Sequence, residues 1–206
     1  MSAADFVPAG AGITRLREAA QACRGCELWE NATQTVFSAG PTTARVVLVG
    51  EQPGDQEDRQ GQPFVGPAGR LLVKAVDEAG IDRAVIYRTN AVKHFRFTQA
   101  GPGKRRIHQT PDMQHITACR PWLVEELRLV DPEVIVCLGA TATKALLGAA
   151  VRVTKDRGAL IERDTSLGTR QFLVTIHPSA VLRADDRDAA YDGLVSDLKV
   201  AAAVLR

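Results

Sequence analysis

The chain has 206 residues, 45% hydrophobic and 24% charged, which suits one globular domain (1–206) with a sizeable core. Its net charge of +2 does not by itself point to nucleic acid, but Lys104, Arg105 and Arg106 are consecutive and concentrate cation in one place. No apolar run is long enough to span a bilayer, and the opening MSAADFVPAG has neither a cationic n-region nor an apolar h-region. The expectation is therefore a cytoplasmic monomer with no membrane partner.

In chain order, Ile13 to about Glu30 predicts a helix interrupted by Cys23-Arg24-Gly25-Cys26. Ala44 to Val49 is an apolar run of the kind that forms a buried parallel strand, and the strand is expected over Arg45–Gly50. Further strands are predicted at Ala84–Asn90, Val134–Gly139 and Phe172–Ile176, with helices at Ala68–Ala79, Asp112–Val130, Thr141–Leu147 and Ala189–Leu205. This alternation marks βαβ units and a parallel sheet. Thr110-Pro111-Asp112 reads as a helix start and Asp131-Pro132 as its end. Gly158 to Asp164, a turn near Ser166–Gly168 and Phe172 to Ile176 form a candidate hairpin. Phe97 to Pro111 has no apolar periodicity, and loops of that length are usually functional or disordered.

Two segments carry chemistry. The loop after the first strand holds Gly50, Gly54, Gly61, Gly66 and Gly69, interleaved with Pro53, Pro63 and Pro67. Glycines at a strand's carboxyl end admit a ligand close to the backbone, and prolines fix the loop's course. Glu51, Asp55, Glu57 and Asp58 make it too acidic for a phosphate cradle, and with Phe64 it suits acid–base work beside a flat ring. Four cysteines without an export signal argue for thiols or a metal site, not disulfides. Cys23 and Cys26 form a C-x2-C pair suited to zinc, a redox couple or an iron–sulfur cluster, and Cys119 adds a third thiolate. Cys137 is the simplest fourth ligand, yet it lies in the apolar strand VIVCLG, where free Cys behaves as a small hydrophobe.

The segment GEQPGDQEDRQGQPFVGPAGRLL resembles the first motif of the iron–sulfur (family 4) uracil-DNA glycosylases. The likeness continues through Thr89-Asn90-Ala91-Val92-Lys93, Ala118 to Leu123 (ACRPWL), VIVCLG and His177-Pro178-Ser179, so it spans nearly the whole chain in order. Lys104-Arg105-Arg106-Ile107-His108 resembles the basic loop of the UdgX-type branch, which bonds covalently to the abasic sugar after removing uracil.

The resemblance implies a three-layer α/β/α sandwich around a short, mainly parallel sheet. It implies a [4Fe–4S] cluster on Cys23, Cys26, Cys119 and His94, because His94 stands where the family places a Cys after Asn-x-x-Lys, and imidazole can replace thiolate on a cluster iron. A flipped base needs a ring to stack on, an amide to read its edge and a donor near the carbonyl that gains charge. Phe64, Asn90 and His177 take those roles, with the backbone around Gln52 as a further donor. An Asn amide offers both donor and acceptor, matching uracil O4 and N3–H but not cytosine. Glu51 or Asp55 would align water or activate a nucleophile, and Lys104, Arg105 and Arg106 would track the phosphates. His108 is implied as the nucleophile on C1′, oriented or deprotonated by Glu51, which makes the enzyme single-turnover. The expected partner is uracil-containing DNA, single- or double-stranded. Two other readings stay open: a turnover family 4 enzyme that uses water, and a non-enzymatic iron–sulfur or zinc protein that binds single strands. The acids beside Phe64 oppose the latter, since carboxylates repel phosphate.

Overall fold

The two most apolar runs, VVLVG and VIVCL, are short and β-branched, and they lie side by side at the centre of the sheet. In the computed structural model, which describes residues 2–101, 103–165 and 168–205, a 3-10 turn (Ala3–Phe6) leads into α1 (Ile13–Ala20). The cysteine pair follows, and then a second 3-10 turn at Glu27–Glu30. Next come β1 (Ser38–Ala39), β2 (Val46–Gly50), α2 (Asp55–Gln60), α3 (Pro67–Glu78) and β3 (Ile86–Asn90). A small hairpin, β4 (Phe97–Gln99) and β5 (Arg106–His108), precedes α4 (Met113–Val130). The chain then runs through β6 (Val134–Leu138), α5 (Gly139–Leu147), α6 (Val153–Asp156), β7 (Leu160–Thr165), β8 (Gly168–Thr175), α7 (Pro178–Arg183) and α8 (Arg187–Val204).

The main sheet has the order β1-β3-β2-β6-β8-β7, with β3, β2, β6 and β8 parallel and the two edge strands antiparallel. Side chains alternate across it, as strand geometry requires. Val46 and Leu48 face a core layer with Leu72 and Val76 of α3 and Leu194 and Leu198 of α8. Val47 and Val49 face Leu123 and Leu127 of α4 and Ala142 of α5. This is the three-layer α/β/α sandwich, with its short and mainly parallel sheet. Its four parallel strands end on one edge, which delivers Glu51, Asn90, Gly139 and His177 to the same side of the molecule. Ligands bind at that edge in open α/β sheets.

Two local expectations change and a third is met. The interrupted helix at Ile13–Glu30 is α1 plus a 3-10 turn, because the cysteine pair occupies a non-helical connection. The aperiodic stretch Phe97–Pro111 contains the β4–β5 hairpin, paired Phe97 with His108 and Gln99 with Arg106. Its three-residue strands are too short to show alternation, and its inner face is built on the Arg106 guanidinium, 4.9 Å from the Phe97 ring and 5.3 Å from Phe95, in place of aliphatic side chains. The Gly158–Ile176 hairpin is β7–β8; Ser166 and Leu167 of the turn predicted there lie outside the described residues.

Candidate active site

A cleft of about 1210 Å³ opens over the strand ends and alongside β5, lined among others by Glu51, Phe64, Asn90, His108 and His177. His108 reaches it from β5, with its side chain 48% exposed and Nε2 3.1 Å from Glu51 Oε1. Thr141, in the first turn of α5, donates its hydroxyl to the other Glu51 oxygen. Burial pushes the Glu51 carboxyl up, but the hydrogen bonds from His108 and Thr141, with the nearby imidazoles, outweigh it and hold the group below the usual carboxylate range. Glu51 is therefore an ionised acceptor set against an imidazole at the rim of a cleft. Thr141 carries no motif signal, which is why sequence reading misses it.

Of the two carboxylates expected to act, the structure brings only Glu51 to His108. Asp55 pairs with Arg59 at 3.0 Å and with Arg106. Asp58, fully buried, accepts the Thr33 amide at 3.0 Å and pairs with Arg106 at 2.6 Å. Arg106 thereby departs from the expected phosphate contact: its side chain is 7% exposed and turned inward against two acids and two aromatic rings. Lys104 and Arg105 remain exposed, and Arg105 also lines the cleft. Arg106 and His108 are two residues apart on β5 and share a face, so the inward pull on one fixes the strand that carries the other.

Phe64 and Asn90 line the same cleft. Both are buried, at 8% and 3% exposure, and Gly50 lets them meet. A Cβ on Gly50 would stand 2.3 Å from Asn90 Oδ1 and 2.8 Å from Phe64 Cζ. Phe64 has φ +60°, a backbone conformation that costs a bulky residue on the order of 1–3 kcal/mol and survives where the surroundings impose it. The Gln52 side chain is fully used: its oxygen accepts the Arg96 amide at 3.0 Å and its amide donates to the carbonyls of Arg96 (3.2 Å) and Gln109 (3.0 Å). Only the Gln52 backbone is left for a base. His177 caps α7, with Nδ1 accepting the Ser179 amide at 3.1 Å. Burial lowers its pKa to about 4, so the ring is neutral at pH 7 and its proton sits on Nε2, free to donate to a carbonyl oxygen. Behind Asn90, Lys93 Nζ donates to the Asn90 carbonyl at 2.8 Å and pairs with the buried Glu126.

Cys23, Cys26 and Cys119 share a hydrophobic cluster beside Trp122 and Ala91, whereas Cys137 sits in a different core layer opposite Val49. Burial pushes the Cys119 thiol up to about 12, and Cys137 likewise. Two N–H groups point at the clustered sulfurs: Trp122 Nε1 at Cys23 Sγ and the Lys93 amide at Cys119 Sγ, each 3.3 Å. His94 is buried, and burial lowers its pKa to about 4, so its ring is neutral. Thr35 donates its hydroxyl to the Ala20 carbonyl at 2.8 Å, so at 2.9 Å it accepts from His94 Nε2, which leaves the lone pair on Nδ1. Among the described residues no three His, Cys, Asp or Glu side chains converge as a single metal ion requires. A four-iron cubane asks for something different, one donor per iron, and the set suits it: three soft thiols with N–H donors aimed at two of them, and a neutral imidazole.

Residues 37–199 match the family model described as the uracil DNA glycosylase superfamily. The type-4 uracil-DNA glycosylase of Thermotoga maritima is 39% identical over 81% of each chain. That of Sulfurisphaera tokodaii is 33% identical, over 82% of this chain and 76% of its own. That of Pyrobaculum aerophilum is 31% identical, over 83% and 85%. The chain belongs to the uracil DNA glycosylase superfamily, on its type-4 side.

Proposed function

We propose that the protein excises uracil from DNA, single- or double-stranded, and is then captured through His108 on C1′ of the abasic sugar, in the manner of the UdgX-type branch. The observation that carries this reading is the His108–Glu51 pair, 3.1 Å apart at the rim of the cleft, with Thr141 holding the carboxylate. Membership of the superfamily supports the excision, and the pair supports the capture.

The chemistry follows from the side chains. The flipped uracil stacks on Phe64 while Asn90 reads its O4 and N3–H. As the bond between C1′ and uracil N1 breaks, the electron pair leaves with the base, and charge builds at O2. The neutral His177 donates Nε2–H to that oxygen. Imidazole of His108 then forms the new bond to C1′, and its surplus proton passes to Glu51. An N-alkyl imidazole is a poor leaving group, so the product persists and each molecule acts once. Lys104 and Arg105 hold the phosphates. A [4Fe–4S] cluster held by Cys23, Cys26, Cys119 and His94 would brace the loops near DNA; breaking an N-glycosidic bond requires no electron transfer.

Counting free uracil against protein tests the proposal. With excess uracil-containing oligonucleotide, about one uracil is expected per protein molecule, and none from cytosine DNA. Many uracils per molecule would instead establish a turnover enzyme that uses water.

A further inference from the structure

We infer that Glu57 is a positioning residue that holds the stacking ring of Phe64 in place for the base. One of its carboxylate oxygens accepts the amide of Gly54, at the N-terminus of its own helix α2, at 3.1 Å. That is the usual reach-back of a carboxylate at the third helical position. The other oxygen accepts the amide of Gly66 at 2.6 Å, and Gly66 is the N-cap of the next helix, α3. One carboxylate thus ties the N-terminus of α2 to the N-terminus of α3, and the loop that carries Phe64 ends at the second of these clamps. Phe64 lies two residues before the second clamp, in the left-handed conformation at φ +60°.

That conformation is fitted tightly from the other side. A Cβ on Gly69 would stand 1.9 Å from the Phe64 carbonyl oxygen, so the start of α3 packs directly on the Phe64 backbone. Fixing Gly66 therefore fixes where the turn at Phe64 ends, and the ring is aimed at Gly50 and Asn90. Glu57 also lines the cleft, where its charge invites a catalytic reading. Both of its oxygens accept backbone amides, so its work is done through Phe64 and not on the substrate. An amide at this position keeps the volume but presents only one oxygen, so Glu57→Gln loses one of the two clamps.

The inference rests on Phe64 being the ring on which uracil stacks, and a double-variant cycle separates the two ideas. Single-turnover excision is measured for the full-length protein, Phe64→Ala, Glu57→Gln and the double variant, with the Ki of free uracil as a second readout. Loss of a base–aromatic stack predicts that Phe64→Ala slows excision on the order of tenfold or more. Glu57→Gln should slow it about threefold or more and raise the uracil Ki, yet change neither quantity once Phe64 is Ala. Equal slowing by Glu57→Gln in both backgrounds, or no slowing with Phe64 present, would overturn the inference and leave the stacking role intact. Full excision by Phe64→Ala would overturn the stacking assignment itself, and the inference with it.

Discussion

Asn90 ends β3 with its backbone carbonyl tied to Lys93 and its side-chain oxygen packed close to Gly50. Leaving a buried polar partner unmatched costs about 1–3 kcal/mol. Asn90→Ala should slow single-turnover excision roughly tenfold or more; unchanged excision would remove Asn90 from the base pocket. His177 makes a different prediction. Unfolded, its imidazole takes a proton below about 6.5, whereas in the folded protein burial delays this to about 4. Between those values the unfolded state holds the extra proton, so stability rises with pH and is lost on acidification. Unfolding free energy should fall from pH 6.5 towards 4 more steeply for the wild type than for His177→Gln. Parallel slopes would mean that the ring is not held neutral. Their placement was readable because each residue ends a recognisable strand: Asn90 follows IYRT and His177 follows FLVTI. Thr141, the partner of Glu51, announces nothing beforehand, since a hydroxyl 90 residues away in sequence acquires its role only from the tertiary approach.

At the scale of elements, the β4–β5 hairpin presents His108, and it is anchored by Arg106 between Asp55 and Asp58. Removing one partner of a buried pair strands the other charge, a loss of about 3–5 kcal/mol. Arg106→Ala should therefore lower unfolding stability by about 3 kcal/mol and cut capture by His108 more than it cuts uracil release. Lys104→Ala should leave stability within about 0.5 kcal/mol and reduce the salt dependence of DNA binding by roughly one charge. Chemical denaturation and salt titration distinguish the two; equal behaviour would contradict the inward role of Arg106. The sequence shows three consecutive cations and no sign that one of them turns inward. The acids that draw it in lie 48 and 51 residues earlier, and only the tertiary fold brings them together. The large parallel strands, by contrast, were recognisable from apolar runs alone, because both of their faces are buried.

For the molecule as a whole, the sheet gathers the cleft residues at one edge, and the clustered thiols sit behind it, linked through Lys93, whose amide meets Cys119 and whose ammonium meets Asn90. The purified protein should be brown, with broad absorption near ~400 nm. Cys137→Ala should keep the colour and His94→Ala should weaken it; the reverse result would make Cys137 the fourth ligand. Covalent capture rests on His108. The most direct measurement is denaturing electrophoresis of the protein after incubation with a uracil-containing oligonucleotide. Protein and DNA should migrate together after heating in detergent, only when uracil is present. His108→Ser should remove this species while uracil is still released. A wild-type protein that releases uracil repeatedly and leaves no heat-resistant species would contradict covalent capture.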